Sequence, residues 1–189
     1  MSPMQATPLT IEWSLLGILR QQPLHGYALH QKLTGESELG LVWHLKQSQL
    51  YALLDKLAVR GYISYTLEHH GARPPRKVYA LTPTGSEALR AWLAEPVEHG
   101  REFRLEFLAK IYFAHQESAK CVQTLLTRQR ENCLQWQKME SQAGAGLQES
   151  NPYVWLIHQF RLGQIQAMLD WIASCQETLL SPGTPIAAP

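Results

Sequence analysis

Between Lys46 and Trp92 the chain changes its periodicity twice, and few folds accommodate that order. Leu50, Leu53 or Leu54, and Leu57 recur three and four apart, which puts one apolar stripe on a helix. Gly61 stands where that helix should end, because glycine enters the left-handed conformation without steric cost. Tyr62 to Leu67 and Lys77 to Leu81 are then rich in β-branched and aromatic residues, the mark of strands. The segment joining them, His69 to Arg76, holds Gly71 and the pair Pro74-Pro75, which force a turn. Arg73, Arg76 and Lys77 make that turn basic. Thr82-Pro83 supplies a cap and a proline at the first helical position, so a second helix follows. A helix beside a basic two-stranded hairpin is the plan of a winged helix-turn-helix.

The chain before this stretch fits the same plan. Thr7-Pro8 or Thr10 can open a first helix, whose Trp13, Leu15, Leu16, Ile18 and Leu19 make it apolar on most sides. Pro23 ends it, and a second helix is expected from Leu24-His25-Gly26-Tyr27 to near Gly35. Of Leu39, Leu41 and Trp43, one is expected to plug the gap before the next helix. The expected winged helix covers 9–94.

Beyond it, Glu95 to Gly100 reads as a linker and the remainder is helical by period. Expected helices run from Glu102 to Ala114, from Ser118 to about Gln142, and from Pro152 to about Leu180. The last of these is apolar on two sides. One row is Val154, Ile157, Ile165, Met168, Ile172, Cys175 and Leu179. A second is Tyr153, Leu156, Phe160, Gly163, Ala167 and Trp171. One row suffices to pack a helix onto its own subunit, and a second left in water is a patch that a two-fold homodimer would cover. The expectation is a helical dimerisation domain over 101–180 and a disordered tail over 181–189.

Composition narrows the class. The net charge is +1, with nine Lys and Arg against six Asp and Glu through Ala94, and eight against ten after it. The small positive excess therefore lies with the expected winged helix. No apolar run approaches the roughly 20 residues of a membrane span, and MSPMQATPLT lacks the features of a secretory signal. Cys121, Cys133 and Cys175 fit neither a disulfide framework nor a zinc pattern, which suits reduced thiols in a cytoplasmic protein. His69 and His70 alternate faces on a strand, and His25 and His30 have no cysteine near them, so no metal and no cofactor are expected. There is no phosphate loop, nucleophile elbow or HExxH helix, and no enzyme is read from the chain.

The expected contact is with double-stranded DNA. With the leucines inward, Lys46, Gln49, Ala52 and Lys56 lie on the opposite side of the helix, with Ser48, Tyr51 and Asp55 beside them. Gln49 is suited to adenine, Lys46 to a phosphate or guanine, and the Tyr51 hydroxyl to a phosphate. Arg73 at the hairpin tip suits a narrow minor groove, with Arg76 and Lys77 on flanking phosphates. Each also has an ordinary reading, a solvated helix face or a half-buried packing residue. Trp13, Trp92 and Phe107 are candidates to line a site for a small apolar effector, or else plain core. The alternative function is a winged-helix module for protein association without DNA binding, which the modest charge keeps open.

The ordered set Leu15-Leu16-Gly17-Ile18-Leu19, Pro23-Leu24-His25-Gly26-Tyr27, Trp43, Leu50-Tyr51, Leu57, Gly61-Tyr62-Ile63, Arg73-Pro74-Pro75-Arg76-Lys77-Val78-Tyr79 and Leu81-Thr82-Pro83-Thr84-Gly85 resembles the PadR family of transcriptional regulators. The commonest family pattern has Gly-Ser before Leu-Tyr and a proline after it. Here Ser48-Gln49 precedes and Ala52 follows, which is more similar to the virulence-activator-like subgroup, with its extended helical C-terminal region. The resemblance implies a homodimeric DNA-binding regulator, a repressor or an activator; of the two, repression on an operator is the expectation. It also implies that a phenolic or other small apolar effector is to be considered.

Overall fold

The computed structural model describes residues 10–35, 38–69 and 75–181. It is mainly helical with one small antiparallel sheet, and it divides between Trp92 and Leu93 into two compact units.

In the first unit, α1 (Thr10–Gln21) is buried from Glu12 to Leu19, as a helix apolar on most sides requires. Its one buried acid, Glu12, is paired at 2.8 Å with Arg60 at the end of α3 (Gln47–Val59). Leu50, Leu53, Leu54 and Leu57 form the inward row of α3, joined by Leu15, Leu16, Leu29, Leu33 and Leu39. The α3 helix ends in a Schellman turn. Tyr62 N donates to Leu57 O at 3.0 Å and Gly61 N to Ala58 O at 2.9 Å, with Gly61 at φ 72°. The gap between α2 (Gly26–Thr34) and α3 is filled by Leu39 from a 3₁₀ turn, Glu38–Leu41, whereas Leu41 is 90% exposed.

Strands β2 (Ile63–Glu68) and β3 (Arg76–Leu81) form the expected hairpin, in register from Ile63 opposite Leu81 to Glu68 opposite Arg76. A third strand joins them. Leu24–His25, expected as the start of the second helix, is a two-residue strand β1 paired with Tyr79 and Val78, so the order is β1-β3-β2. The reason lies in His25. Its extended backbone leaves it as the N-cap of α2, and its imidazole Nδ1 accepts from Ala28 N at 3.1 Å, the task a shorter polar side chain usually performs. Thr82 caps α4 (Pro83–Ala94) by accepting from Gly85 N at 3.0 Å, and its hydroxyl also reaches Gly61 O at 2.7 Å. The cap thereby ties the end of the hairpin to the turn that ends α3.

In the second unit, the helix expected from Glu102 is broken at Leu105. A 3₁₀ turn (Gly100–Arg104) is held by Glu102, whose carboxylate accepts from Glu98 N and His99 N, and α5 (Glu106–Glu117) starts afresh. Helix α6 (Ala119–Gly144) is capped by Ser118, α7 (Leu147–Ser150) is one turn, and α8 (Pro152–Leu179) is capped by Asn151. Helices α6 and α8 run back along each other, since Glu140 meets His158 and Arg161 while Gln137 meets Gln166. Phe103 and Phe107 pack against each other with tilted rings and meet Trp171 edge-on, over a core of Ile111, Val122, Leu125, Leu126, Ile165 and Ile172.

Within the second unit, side chains of α5 and α6 bond to the backbone of Ala94 to Val97. Arg128 Nη1 donates to Ala94 O at 2.8 Å and Lys110 Nζ to Glu95 O at 3.0 Å. The fully buried amide of Gln129 accepts from Val97 N at 2.7 Å and donates to Val97 O. These groups bond to backbone atoms, so they hold the course of Ala94 to Val97 whatever its side chains. Burial pulls the Lys110 pKa down to about 8 against the opposing pull of Glu106, Glu95 and Glu102.

Candidate nucleic-acid interface

Helix α3 turns the large apolar residues of its inner row away from water and leaves an outer face that is polar apart from Tyr51, Ala52 and, at its last residue, the exposed Val59. Lys46, the N-cap, and Ser48, Gln49, Tyr51, Ala52, Asp55 and Lys56 are all exposed. Gln49 has a second task there. Its side-chain Oε1 accepts from Lys46 N at 3.1 Å and so closes the first turn of the helix. Its amide can still offer both N–H groups outward.

Tyr51 and the strand cations come together. A cleft of about 730 Å³ is lined by His25, Gly26 and Tyr27 at the start of α2, by Tyr51 and Asp55 of α3, and by Pro75, Arg76, Lys77 and Tyr79 on the hairpin. Lys77 is positioned by an aromatic ring, its ammonium lying 4.3 Å from the centroid of Tyr65. Tyr79 forms the floor. Its hydroxyl pKa is raised, first by burial and then by the nearby Asp55, Tyr51 and Tyr65. Lys46, Ser48, Gln49 and Lys56 lie on α3 without lining this cleft, and Arg73 falls outside the described residues. His25 and Tyr27 also line the cleft, although neither is expected from the sequence as a DNA contact; their sequence signal is the segment Pro23 to Tyr27, which belongs to the family-like set.

The residues considered for an effector are packed within their own units. Trp13 stacks on Trp92 at 5.6 Å between centroids and on Tyr62 at 6.2 Å. Phe107 is fully buried between Phe103 and Trp171. Two of the histidines weighed as metal ligands have structural partners. His25 caps α2, and His30 Nε2 pairs with Leu45 O at 2.8 Å. No group of three His, Cys, Asp or Glu side chains is placed to hold a metal ion among the described residues. Nor is any described helix long and apolar enough to cross a membrane.

A leucine-anchored helix with a polar outer face, adjoining a basic antiparallel hairpin, defines the winged-helix class of regulatory proteins. Residues 15–91 match the model of the transcriptional regulator PadR-like family. Over that segment, 77 of the 189 residues, the chain is similar to this family of transcriptional regulators. Among similar sequences, the negative transcriptional regulator PadR of Bacillus subtilis is 33% identical over 103 residues, 54% of this chain and 56% of the relative. The chain thus spans about half the length of the curated relatives it matches. Among solved structures, Bacillus subtilis PadR in complex with operator DNA is 25% identical, covering 90% of this chain and 99% of that chain, with a TM-score of 0.46. The same protein in complex with p-coumaric acid is 22% identical, covering 92% and 100%, with a TM-score of 0.41.

Proposed function

We propose that the chain is a homodimeric, sequence-specific DNA-binding transcriptional regulator that acts in the cytoplasm as a repressor. The observation that carries this reading is the outer face of α3, which exposes Lys46, Ser48, Gln49 and Lys56, together with the cleft in which Tyr51 of that helix meets Arg76 and Lys77 of β3. In this reading Lys46, Ser48, Gln49 and Lys56 meet the major groove, and Tyr51, Arg76 and Lys77 meet phosphates. Arg73 enters the adjacent minor groove. The negative action of the 33% identical relative supports repression. Ser48-Gln49-Leu50-Tyr51 and the long helical second unit favour the virulence-activator-like subgroup.

Dimerisation is supported by α8. Tyr153, Leu156 and Phe160 are 74%, 56% and 67% exposed, an open apolar row on a helix whose opposite row is already packed. A dimer would offer one α3 helix to each of two half-sites, which for paired reading helices lie about 34–36 Å apart. A phenolic or similar small apolar effector, with Trp13, Trp92 and Phe107 as the residues to watch, completes the reading. It would act by favouring one arrangement of the dimer over another.

Fluorescence anisotropy with the protein's own promoter DNA at two salt concentrations tests this. Saturable binding that weakens steeply with salt and survives excess unrelated DNA is expected. Release of that DNA on titration with a phenolic acid would identify the effector class. The rival reading, a winged helix that binds only protein, draws on the net charge of +1 and on Asp55 in the cleft. No saturable binding at the lower salt would favour it.

A further inference from the structure

Gly26 opens α2 without a conformational reason to be glycine. Its φ is not positive, and a glycine weakens a helix relative to alanine. Space supplies the reason. A Cβ built at position 26 would lie 2.7 Å from Cε1 of Tyr51, 3.0 Å from its Cζ and 3.0 Å from its hydroxyl oxygen. The phenol of Tyr51 therefore lies across the first turn of α2, in the volume that any other side chain at 26 would need. Tyr51 is 42% exposed and rooted on the outer face of α3, and the bare backbone of Gly26 leaves the room that its ring occupies.

We propose that Gly26 is a positioning residue for DNA binding. By leaving room for the Tyr51 ring, it holds the hydroxyl in the cleft that Arg76 and Lys77 line, ready to donate to a phosphodiester oxygen. The inference rests on the DNA-binding reading above and adds a residue to it that touches no DNA. The chemistry favours prior confinement. An exposed tyrosine free to change rotamer loses that freedom on binding, whereas one already seated does not. Asp55 lines the same cleft, and its charge opposes an incoming phosphate. The two strand cations outnumber it, and a hydroxyl aimed correctly adds a directional bond where net attraction is modest.

The test is a double-mutant cycle on the full chain, with Gly26→Ala and Tyr51→Phe, read by anisotropy with promoter DNA and by thermal melting. Gly26→Ala should melt no lower than the unaltered protein, since the far end of a flexible ring can move aside and alanine favours the helix. It should nevertheless bind DNA about tenfold more weakly, the scale of one hydrogen bond to a charged group. Tyr51→Phe should lose a similar factor, and the double variant should be no weaker than Tyr51→Phe alone by more than about twofold. Unchanged affinity in Gly26→Ala, or losses that multiply in the double variant, would overturn the proposal. If Gly26→Ala melts early, Tyr51→Ala should restore its melting temperature, and failure to do so would place the crowding elsewhere and sink the idea. An unaltered protein that binds no DNA would defeat the broader reading and this one together, a result separate from all of these.

Discussion

Helices α3 and α8 are both amphipathic on one side, and their other sides could hardly differ more. The outer face of α3 carries Lys46, Ser48, Gln49 and Lys56 with one aromatic, whereas the open row of α8 carries Tyr153, Leu156 and Phe160. A polar outer face is already at home in water and gains from a polyanion chiefly through charge and hydrogen bonds. An apolar outer face gains from leaving water, at about 25 cal/mol per Å² of apolar surface covered. The same inward leucine and isoleucine pattern thus supports two different kinds of contact. The outer residues, not the helix itself, decide which partner each one suits.

The largest effect should come from the rows the two helices share. Leu54→Ala, at a site with no exposure, should cost roughly 2–5 kcal/mol in denaturant unfolding, because the cavity adds to the lost burial. Leu156→Ala on the open row should change the stability of the dissociated subunit by no more than about 0.5 kcal/mol. Equal losses would mean that α8 buries both rows within one chain, and the contrast would collapse. Next in size is the open row itself. Phe160→Glu should raise the dimer dissociation constant by about thirtyfold in sedimentation, the effect of removing an aromatic anchor of about 2 kcal/mol. A dimer indifferent to that change would assemble through some other surface.

This contrast was legible in the sequence to the extent that it is periodic. The leucine spacing of α3, the stop at Gly61 and the β-branched runs of the hairpin each leave a repeating trace that side-chain burial reproduces. The double row of α8 was equally visible, yet it did not behave uniformly. Trp171 turned inward on Phe103 and Phe107 while Phe160 stayed open, a difference set by what each meets and not by its spacing. Strand β1 was illegible because two residues show no alternation, and the cap by His25 because imidazole is an uncommon cap. The hold on Ala94 to Val97 left no trace either, since Arg128, Lys110 and Gln129 bond to backbone atoms that carry no sequence signature. The same holds for Tyr51 over Gly26. A pair 25 residues apart in the chain announces itself only when the two helices are seen side by side.

The smallest effect sharpens the comparison most, because it separates charge from shape on the polar side. The Lys77 side chain adjoins the Tyr65 ring, and its ladder pairing with Leu67 is made by backbone that alanine keeps, so Lys77→Ala should leave the melting temperature nearly unchanged. If it meets a phosphate, it should weaken binding to every DNA sequence alike and lower the slope of log affinity against log salt by about 1. Gln49→Ala should do the opposite, weakening the cognate site by about 1–3 kcal/mol while leaving the salt slope as it was. The two variants are read in the same anisotropy titration, over a salt series with cognate and unrelated duplexes. A Gln49 variant whose loss is equal on both duplexes would mean that the amide serves only to close the first turn of α3 against Lys46 N. The specific contacts of that face would then have to come from Lys46, Ser48 and Lys56, and the outer side of α3 would be a charged surface more than a reading one.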